Sequence, residues 1–185
     1  ISAAEDLTIT GAAHVTADAR DIALCSDGGA VCVDENAVVK SFSETYYTIY
    51  AQDGDIDISG SAQVYGEGYA CMQAGYYYDD ANYGYGDIRI SGNAVVSSIS
   101  TSENWNGLYT PLGNVEISGT AQVTTESYFP AIYAGYNVSI TGGTVSAVSI
   151  SDCAIWAEED LEISGENTVV NTYIEEADGT IRYSC

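Results

Sequence analysis

The sequence predicts an all-β fold in which short strands stack as a single-stranded parallel β-helix of about 7–8 rungs. One observation is a phrase, hydrophobic-x-Ile-Ser/Thr-Gly-x-Ala, that returns along the whole chain. Another is the alternation of apolar and polar residues inside the phrase, which is typical of half-buried strands. The phrase is centred, in complete or altered form, on Ile9, Val33, Ile58, Ile90, Ile117, Ile140 and Ile163.

The spacing of the phrase indicates the size of one rung. The central positions 9, 33, 58, 90, 117, 140 and 163 lie 24, 25, 32, 27, 23 and 23 residues apart. Roughly 23–25 residues suit three short strands with three corners, in rungs stacked about 4.8 Å apart. Helical repeats would need a 3.6-residue period and good helix formers, whereas Val, Ile, Thr, Ser, Tyr and Gly dominate here.

Aligned rungs predict the core, because alternate residues of a strand face opposite sides. An eighth, partial rung is expected over residues 174–183. The main inward columns are Ile1, Leu24, Ile49, Met72, Leu108, Ile132, Ile155 and Ile174, then Leu7, Val31, Ile56, Ile88, Val115, Val138 and Leu161, and the central residues of the phrase.

A column of Asp and Asn residues precedes the phrase. Asp and Asn accept the left-handed backbone conformation and hydrogen-bond to their own turn, so we interpret the column as a structural ladder. Ala30 replaces the acidic or amide residue in the second rung. The ladder consists of Asp6, Asp55, Asp87, Asn114, Asn137 and Asp160.

Composition limits the partners. The chain carries 27 acidic and 4 basic residues, a net charge of −23. Such a surface repels nucleic acid and anionic membranes, so we expect no nucleic-acid binding and no membrane insertion. The unbroken repeat predicts one domain over residues 1–185, and we expect that domain to be a segment of a longer protein.

The acidity suits an extracellular protein stabilised by calcium, because stacked carboxylates repel one another unless a cation lies between them. Asp27, Asp53 and Asp55 form the candidate calcium cluster, and residues 158–160 beside Asp178 form a second one. The alternative is that these corner acids are simply solvated, with no cofactor at all.

An outward stripe of aromatic residues is the first candidate binding surface. Tyr50, Tyr109, Tyr133 and Trp156 occupy one outward column, the last three in consecutive rungs. Such a flat aromatic platform is suited to stacking against sugar rings. The alternative is structural, because aromatic residues favour strands and pair well across them.

A corner insertion over residues 77–86 is the second candidate. Solenoids carry binding loops as insertions in single repeats, so recognition is expected here. The alternative is a lid or an oligomer contact. Trp105 lies in a smaller insertion beside Tyr109, and the candidate residues of the larger one are Tyr77, Tyr78, Asp79, Asp80, Tyr83 and Tyr85.

A second outward column carries charged residues (the charged stripe), and these decide whether a hydrolase or a lyase site is expected. Asp57 and Glu116 have the spacing of a hydrolase pair, but Arg89 lies between them, which predicts ion-paired carboxylates of low pKa. Glu162 and Arg182 are expected to pair in the same way. A uronate lyase needs basic groups, and only Arg20 and Lys40 remain outside the stripe.

The repeat Asp/Asn-hydrophobic-x-Ile-Ser/Thr-Gly-x-Ala-x-Val resembles the right-handed parallel β-helix of pectate-lyase-like proteins. It is similar in particular to repetitive bacterial cell-surface members described as carbohydrate-binding. The resemblance covers residues 1–183. It implies an extracellular or bacterial cell-surface location and a right-handed coil, and the superfamily includes lyases, glycoside hydrolases, adhesins and non-catalytic sugar binders.

These observations favour a non-catalytic secreted or cell-surface β-helix. It is expected to bind carbohydrate or another extracellular partner through the aromatic stripe and the Tyr-rich insertion. One alternative is a structural stalk or fibre element that associates end to end. Another is a polysaccharide-degrading enzyme, either a lyase or a glycoside hydrolase.

Overall fold

A computed structural model describes residues 1–151, 153–175 and 181–183. Its described residues form an all-β solenoid of parallel strands, which confirms the predicted fold class. Among them there is no helix long and apolar enough to cross a membrane. Numbered along the chain, seven short strands form one parallel sheet: β2 (Leu7–Ile9), β5 (Val31–Val33), β7 (Ile56–Ile58), β11 (Ile88–Ile90), β14 (Val115–Ile117), β17 (Val138–Ile140) and β20 (Leu161–Ile163).

The other two faces of the solenoid belong to a 13-stranded sheet, because β6 (Val38–Ala51) and β8 (Gln63–Ala74) run through the corner between them. The second face contains β3 (His14–Ala19), β6 (Val38–Ala51), β8 (Gln63–Ala74), β12 (Val95–Ser100), β15 (Gln122–Ser127), β18 (Thr144–Ser149) and β21 (Val169–Glu175). The third face is completed by β1 (Ser2–Ala3), β4 (Leu24–Ser26), β13 (Leu108–Thr110), β16 (Ile132–Ala134) and β19 (Ile155–Ala157).

Equivalent letters of the phrase lie directly above one another. Ile58 pairs with Ile90, Ile90 with Ile117, and Ile117 with Ile140. All four side chains are fully buried. The inward columns of the five central rungs form one continuous core, as predicted from the alternation.

Buried hydroxyl groups fix the corner between the second and third faces, a role that the apolar columns do not reveal. Ser98 Oγ donates to the carbonyl oxygen of Gly107 at 2.7 Å, and Thr125 Oγ1 donates to that of Ala131 at 3.0 Å. Both side chains are fully buried. Each of these carbonyls also accepts a backbone N–H from the neighbouring rung, that of Met72 at Gly107 and that of Leu108 at Ala131. The hydroxyl therefore adds a second hydrogen bond to the corner carbonyl and is itself satisfied although it is buried.

The Asp/Asn column forms a ladder, but through different hydrogen bonds from those expected. Asn114 accepts the backbone N–H of Asn137 at 3.2 Å, and Asp87 accepts that of Asn114 at 2.7 Å. Each side chain thus bonds to the next rung rather than to its own turn. The left-handed conformation occurs instead at the glycine of the phrase, as at Gly92 and Gly119, and at Glu35 in the second rung.

The expected eighth rung is wrong. β22 (Ile181–Tyr183) pairs antiparallel with β21 and places Arg182 opposite Ile174. It therefore does not continue the seven-stranded sheet beyond β20, and Arg182 does not occupy the position beside Glu162 that the charged stripe required. β21 and β22 can pair directly in this way because residues 175 and 181 are close in sequence.

Candidate functional site

The predicted aromatic stripe has the expected register. Tyr109 pairs with Tyr133 and Tyr133 with Trp156 across β13, β16 and β19. The ring centroids of Tyr109 and Tyr133 lie 5.2 Å apart. Both tyrosines are half-buried, whereas 42% of Trp156 is exposed. Three aromatic side chains therefore cover one face over three consecutive rungs.

Tyr50 lies apart from this platform. Gln73 occupies the rung between Tyr50 and Tyr109 and is only 4% exposed, so the stripe is interrupted there. Tyr47 stacks on Tyr50 with 4.8 Å between ring centroids. Trp105 then bridges the two parts, because it contacts Tyr47 edge-on and also packs against Tyr109. Tyr50 and Trp105 therefore support the platform rather than extend it.

A groove of about 400 Å³ lies over the platform. This volume falls within the range of small-molecule sites, which combine apolar walls with a few polar groups. Asn106 Nδ2 donates to the carbonyl oxygen of Pro130 at 2.6 Å and so ties together the two corner loops that border the groove. The lining residues are Asn104, Asn106, Tyr109, Phe129, Pro130, Tyr133, Trp156 and Glu158.

Glu158 is the acidic group of the groove. Its Oε1 accepts hydrogen bonds from Tyr133 Oη at 2.9 Å and from Trp156 Nε1 at 3.0 Å. Burial, followed by the hydrogen bond to Glu158, raises the pKa of Tyr133, so its phenol stays a neutral donor. Sequence reasoning placed Glu158 only in a calcium cluster. Its position next to Trp156 on the same strand end was the available signal for its role in the groove.

The Tyr-rich insertion forms an antiparallel hairpin of β9 (Tyr76–Asp79) and β10 (Asn82–Gly84). Tyr77 donates a 2.9 Å hydrogen bond to Asp80, and Asp79 accepts the backbone N–H of Ala81 at the same distance. Tyr78, at 80% exposure, is the most exposed aromatic residue of the hairpin. The hairpin is therefore an internally hydrogen-bonded, solvent-exposed projection.

The hairpin residues do not line the groove. The hairpin follows Ala74 at the end of β8, whereas the groove lies over β13, β16 and β19, with Asn104, Asn106 and Phe129 before these strands and Glu158 after β19. Tyr83 and Tyr85 pack against each other with 5.4 Å between ring centroids. The structure therefore brings together Tyr109, Tyr133 and Trp156, but places the hairpin candidates elsewhere.

The candidate calcium ligands make other contacts. Asp55 binds Arg89 and the backbone N–H of Asp87, Asp27 accepts from the Cys25 thiol, and Asp53 lies against the backbone of Gly84. Asp178 of the second cluster lies outside the described residues. In the described part of the chain there is no group of three or more His, Cys, Asp or Glu residues placed to hold a metal ion. Calcium binding stays a prediction.

Arg89 organises the charged stripe on the seven-stranded sheet. Its guanidinium contacts Asp55, Asp57, Asp87 and Glu116, with Nη1 to Asp57 Oδ1 at 3.5 Å and Nε to Glu116 Oε2 at 3.8 Å. The expected low pKa is wrong for Asp57. Burial, together with the negative charges of Asp55 and Asp87, raises the pKa of Asp57 by more than Arg89 lowers it.

Asp57→Asn should therefore stabilise the fold slightly at neutral pH. A group whose pKa is raised on folding favours the native state most below its unfolded value, here 3.8, and this contribution is lost as pH rises through the folded value. We expect a gain of about 0.5 kcal/mol at pH 7, kept small because 40% of the side chain is exposed. The gain should vanish near pH 3.5.

Urea unfolding at both pH values measures the effect of Asp57→Asn. The matched control is Asp55→Asn, which removes the 2.5 Å contact to Arg89 and should destabilise the protein at pH 7. Equal destabilisation by the two variants would show that Asp57 is an ordinary ion-pair partner.

Comparison with protein-family models, with curated proteins and with solved structures finds no match for this chain. Fold and site geometry are therefore the basis for any functional assignment.

Proposed function

We propose that the protein is a non-catalytic, secreted or cell-surface β-solenoid that binds carbohydrate in the groove over Tyr109, Tyr133 and Trp156. The observation that carries this proposal is the aromatic platform in three consecutive rungs, with polar groups at its border. Aromatic faces bury the apolar side of a sugar ring, while Glu158 and the neighbouring amides are suited to its hydroxyl groups. The proposal agrees with the resemblance to carbohydrate-binding cell-surface β-helices.

Binding is favoured over hydrolysis by the carboxylates available. Glycoside hydrolysis ordinarily requires two carboxyl groups flanking the bond to be cleaved. Among the lining residues of the groove, Glu158 is the one carboxylate. Asp57 and Glu116 lie on the seven-stranded sheet, a different face, and both contact Arg89.

A glycan array tests this proposal. The full chain, with and without calcium, should bind a subset of neutral or amino sugars. Trp156→Ala and Tyr133→Ala should each weaken binding about tenfold, since the loss of one stacked ring is worth about 1 kcal/mol or somewhat more. Tyr78→Ala, in the exposed hairpin, is the matched control and should leave binding unchanged.

The array results separate the alternatives. Loss of binding in Tyr78→Ala, with Trp156→Ala unaffected, would move the site to the hairpin. Absence of binding to every glycan would overturn the proposal. Circular dichroism and thermal melting of each variant would show whether the fold is retained.

End-to-end association is the second candidate, favoured by one observation. Leu161 and Ile163 of β20 are about half exposed, although their equivalents in the five rungs directly before β20 are fully buried. A second solenoid stacked on this strand would cover them. Sedimentation velocity at increasing concentration should then show oligomers that Leu161→Glu abolishes, and a monomer at all concentrations would exclude this candidate.

A further inference from the structure

We infer that the groove selects sugars that carry a protonated amino group, such as glucosamine oligomers, over neutral and acidic sugars. This inference rests on the proposed function and specifies its ligand. It depends on the contacts of Glu158, on the aromatic groups around this residue, and on the distribution of charge in the described part of the chain.

The two oxygens of Glu158 differ in their contacts. Tyr133 Oη and Trp156 Nε1 both donate to Oε1, which fixes the carboxylate beside the platform. Oε2 makes no hydrogen bond within the described residues, and the side chain is exposed in the groove. An acceptor is therefore held in place and remains open toward a ligand.

The charge of Glu158 has no partner among the residues whose side chains are described. The salt bridges there are all made by Arg89, on another face of the solenoid. Glu159 and Asp160 follow Glu158 directly, and both are exposed. The groove therefore attracts cations and repels uronates or other acidic sugars.

The aromatic rings add to this preference. An ammonium group over the face of Trp156 or Tyr133 is attracted by the ring quadrupole, most strongly for Trp. The same ammonium can donate a charge-assisted hydrogen bond to Glu158 Oε2. A sugar with a free amine can thus stack on the platform and bind the Glu158 carboxylate at the same time. Its N-acetylated form carries no ammonium group and keeps only the stacking.

Calorimetric titration of the full chain with sugars tests the preference for an amino group. The titration is done at about pH 6, where sugar amines are protonated, and in physiological salt, which screens distant charges. The probes are glucosamine trimer, N-acetylglucosamine trimer and galacturonate trimer. We expect the glucosamine trimer to bind about tenfold more tightly than its acetylated form. The galacturonate trimer should not bind.

Glu158→Gln should abolish the preference for glucosamine, so that the two trimers bind with about equal affinity, because glutamine can still accept from Tyr133 and Trp156 but carries no charge. Glu159→Gln makes the same change in net charge one residue away and should keep the preference. Trp156→Ala should weaken both sugars.

Each contrary result has a definite meaning. Equal affinity for the two trimers, or no binding of the glucosamine trimer while other glycans bind on the array, would overturn the inference and leave the proposed function intact. An equal loss of preference in Glu159→Gln would also overturn it, because attraction by net charge would then be the cause. Failure of all glycans to bind would overturn the proposed function itself.

Discussion

Ile117→Ala should destabilise the solenoid by about 2–4 kcal/mol. Ile117 is fully buried between Ile90 and Ile140 in the central column. Truncation removes three carbon atoms from a site that neighbouring rungs cannot fill, because their positions are set by the parallel ladder on both sides. Urea unfolding followed by circular dichroism measures the loss.

The same substitution should also reduce cooperativity. In a repeat protein each rung contacts only its neighbours, so a lesion in a middle rung weakens the coupling between the two halves. We expect a broader transition in Ile117→Ala than in the unmodified chain. Ile9→Ala, in the first rung, should cost less, because one side of Ile9 has no preceding strand of the seven-stranded sheet.

Val95→Ala is the control for truncation alone. Val95 lies on the outer side of β12 and is exposed, so its truncation should change the free energy of unfolding by less than about 0.5 kcal/mol. If Ile117→Ala cost no more than Val95→Ala, the column of phrase residues would not be the core of the molecule.

Strand register could be predicted from the sequence because it is over-determined. A shift of one residue would move Ile58, Ile90 and Ile117 from the core to solvent, and every rung repeats this constraint. The order of Tyr109, Tyr133 and Trp156 on the outer face follows from the same register, since their neighbours are inward.

Corners and contacts between outward side chains could not be predicted in this way. Gln73 occupies an outward position between Tyr50 and Tyr109 of the flanking rungs, yet it is buried and its Nε2 donates to the carbonyl oxygen of Gly75 at 2.8 Å. The pairing of Glu158 with Tyr133 joins adjacent rungs through side-chain length rather than through periodicity. Likewise, β22 turns back on β21 although its sequence spacing matches that of an earlier rung.

Arg89→Met should cost about 2 kcal/mol at low salt and neutral pH. One guanidinium contacts four carboxylates from three successive rungs, and its removal leaves those carboxylates close together without a cation. Breaking a fully buried ion pair in this way can cost more, but 37% of the Arg89 side chain is exposed, and solvent screens part of the repulsion.

Salt and pH should both reverse the loss caused by Arg89→Met. About 1 M salt shortens the screening length to about 3 Å, which weakens repulsion between the exposed carboxylates. Protonation neutralises the carboxylates and removes their mutual repulsion, so the variant should recover stability as pH falls toward about 4. Urea unfolding at two salt concentrations and two pH values measures both effects.

Arg20→Met separates this local effect from a change in net charge. It removes the same charge from an exposed corner residue, and the described salt bridges do not involve Arg20. It should therefore change stability by less than about 0.5 kcal/mol. An equal loss in both variants would mean that the overall charge of −23, rather than the carboxylate cluster around Arg89, limits the stability of the solenoid.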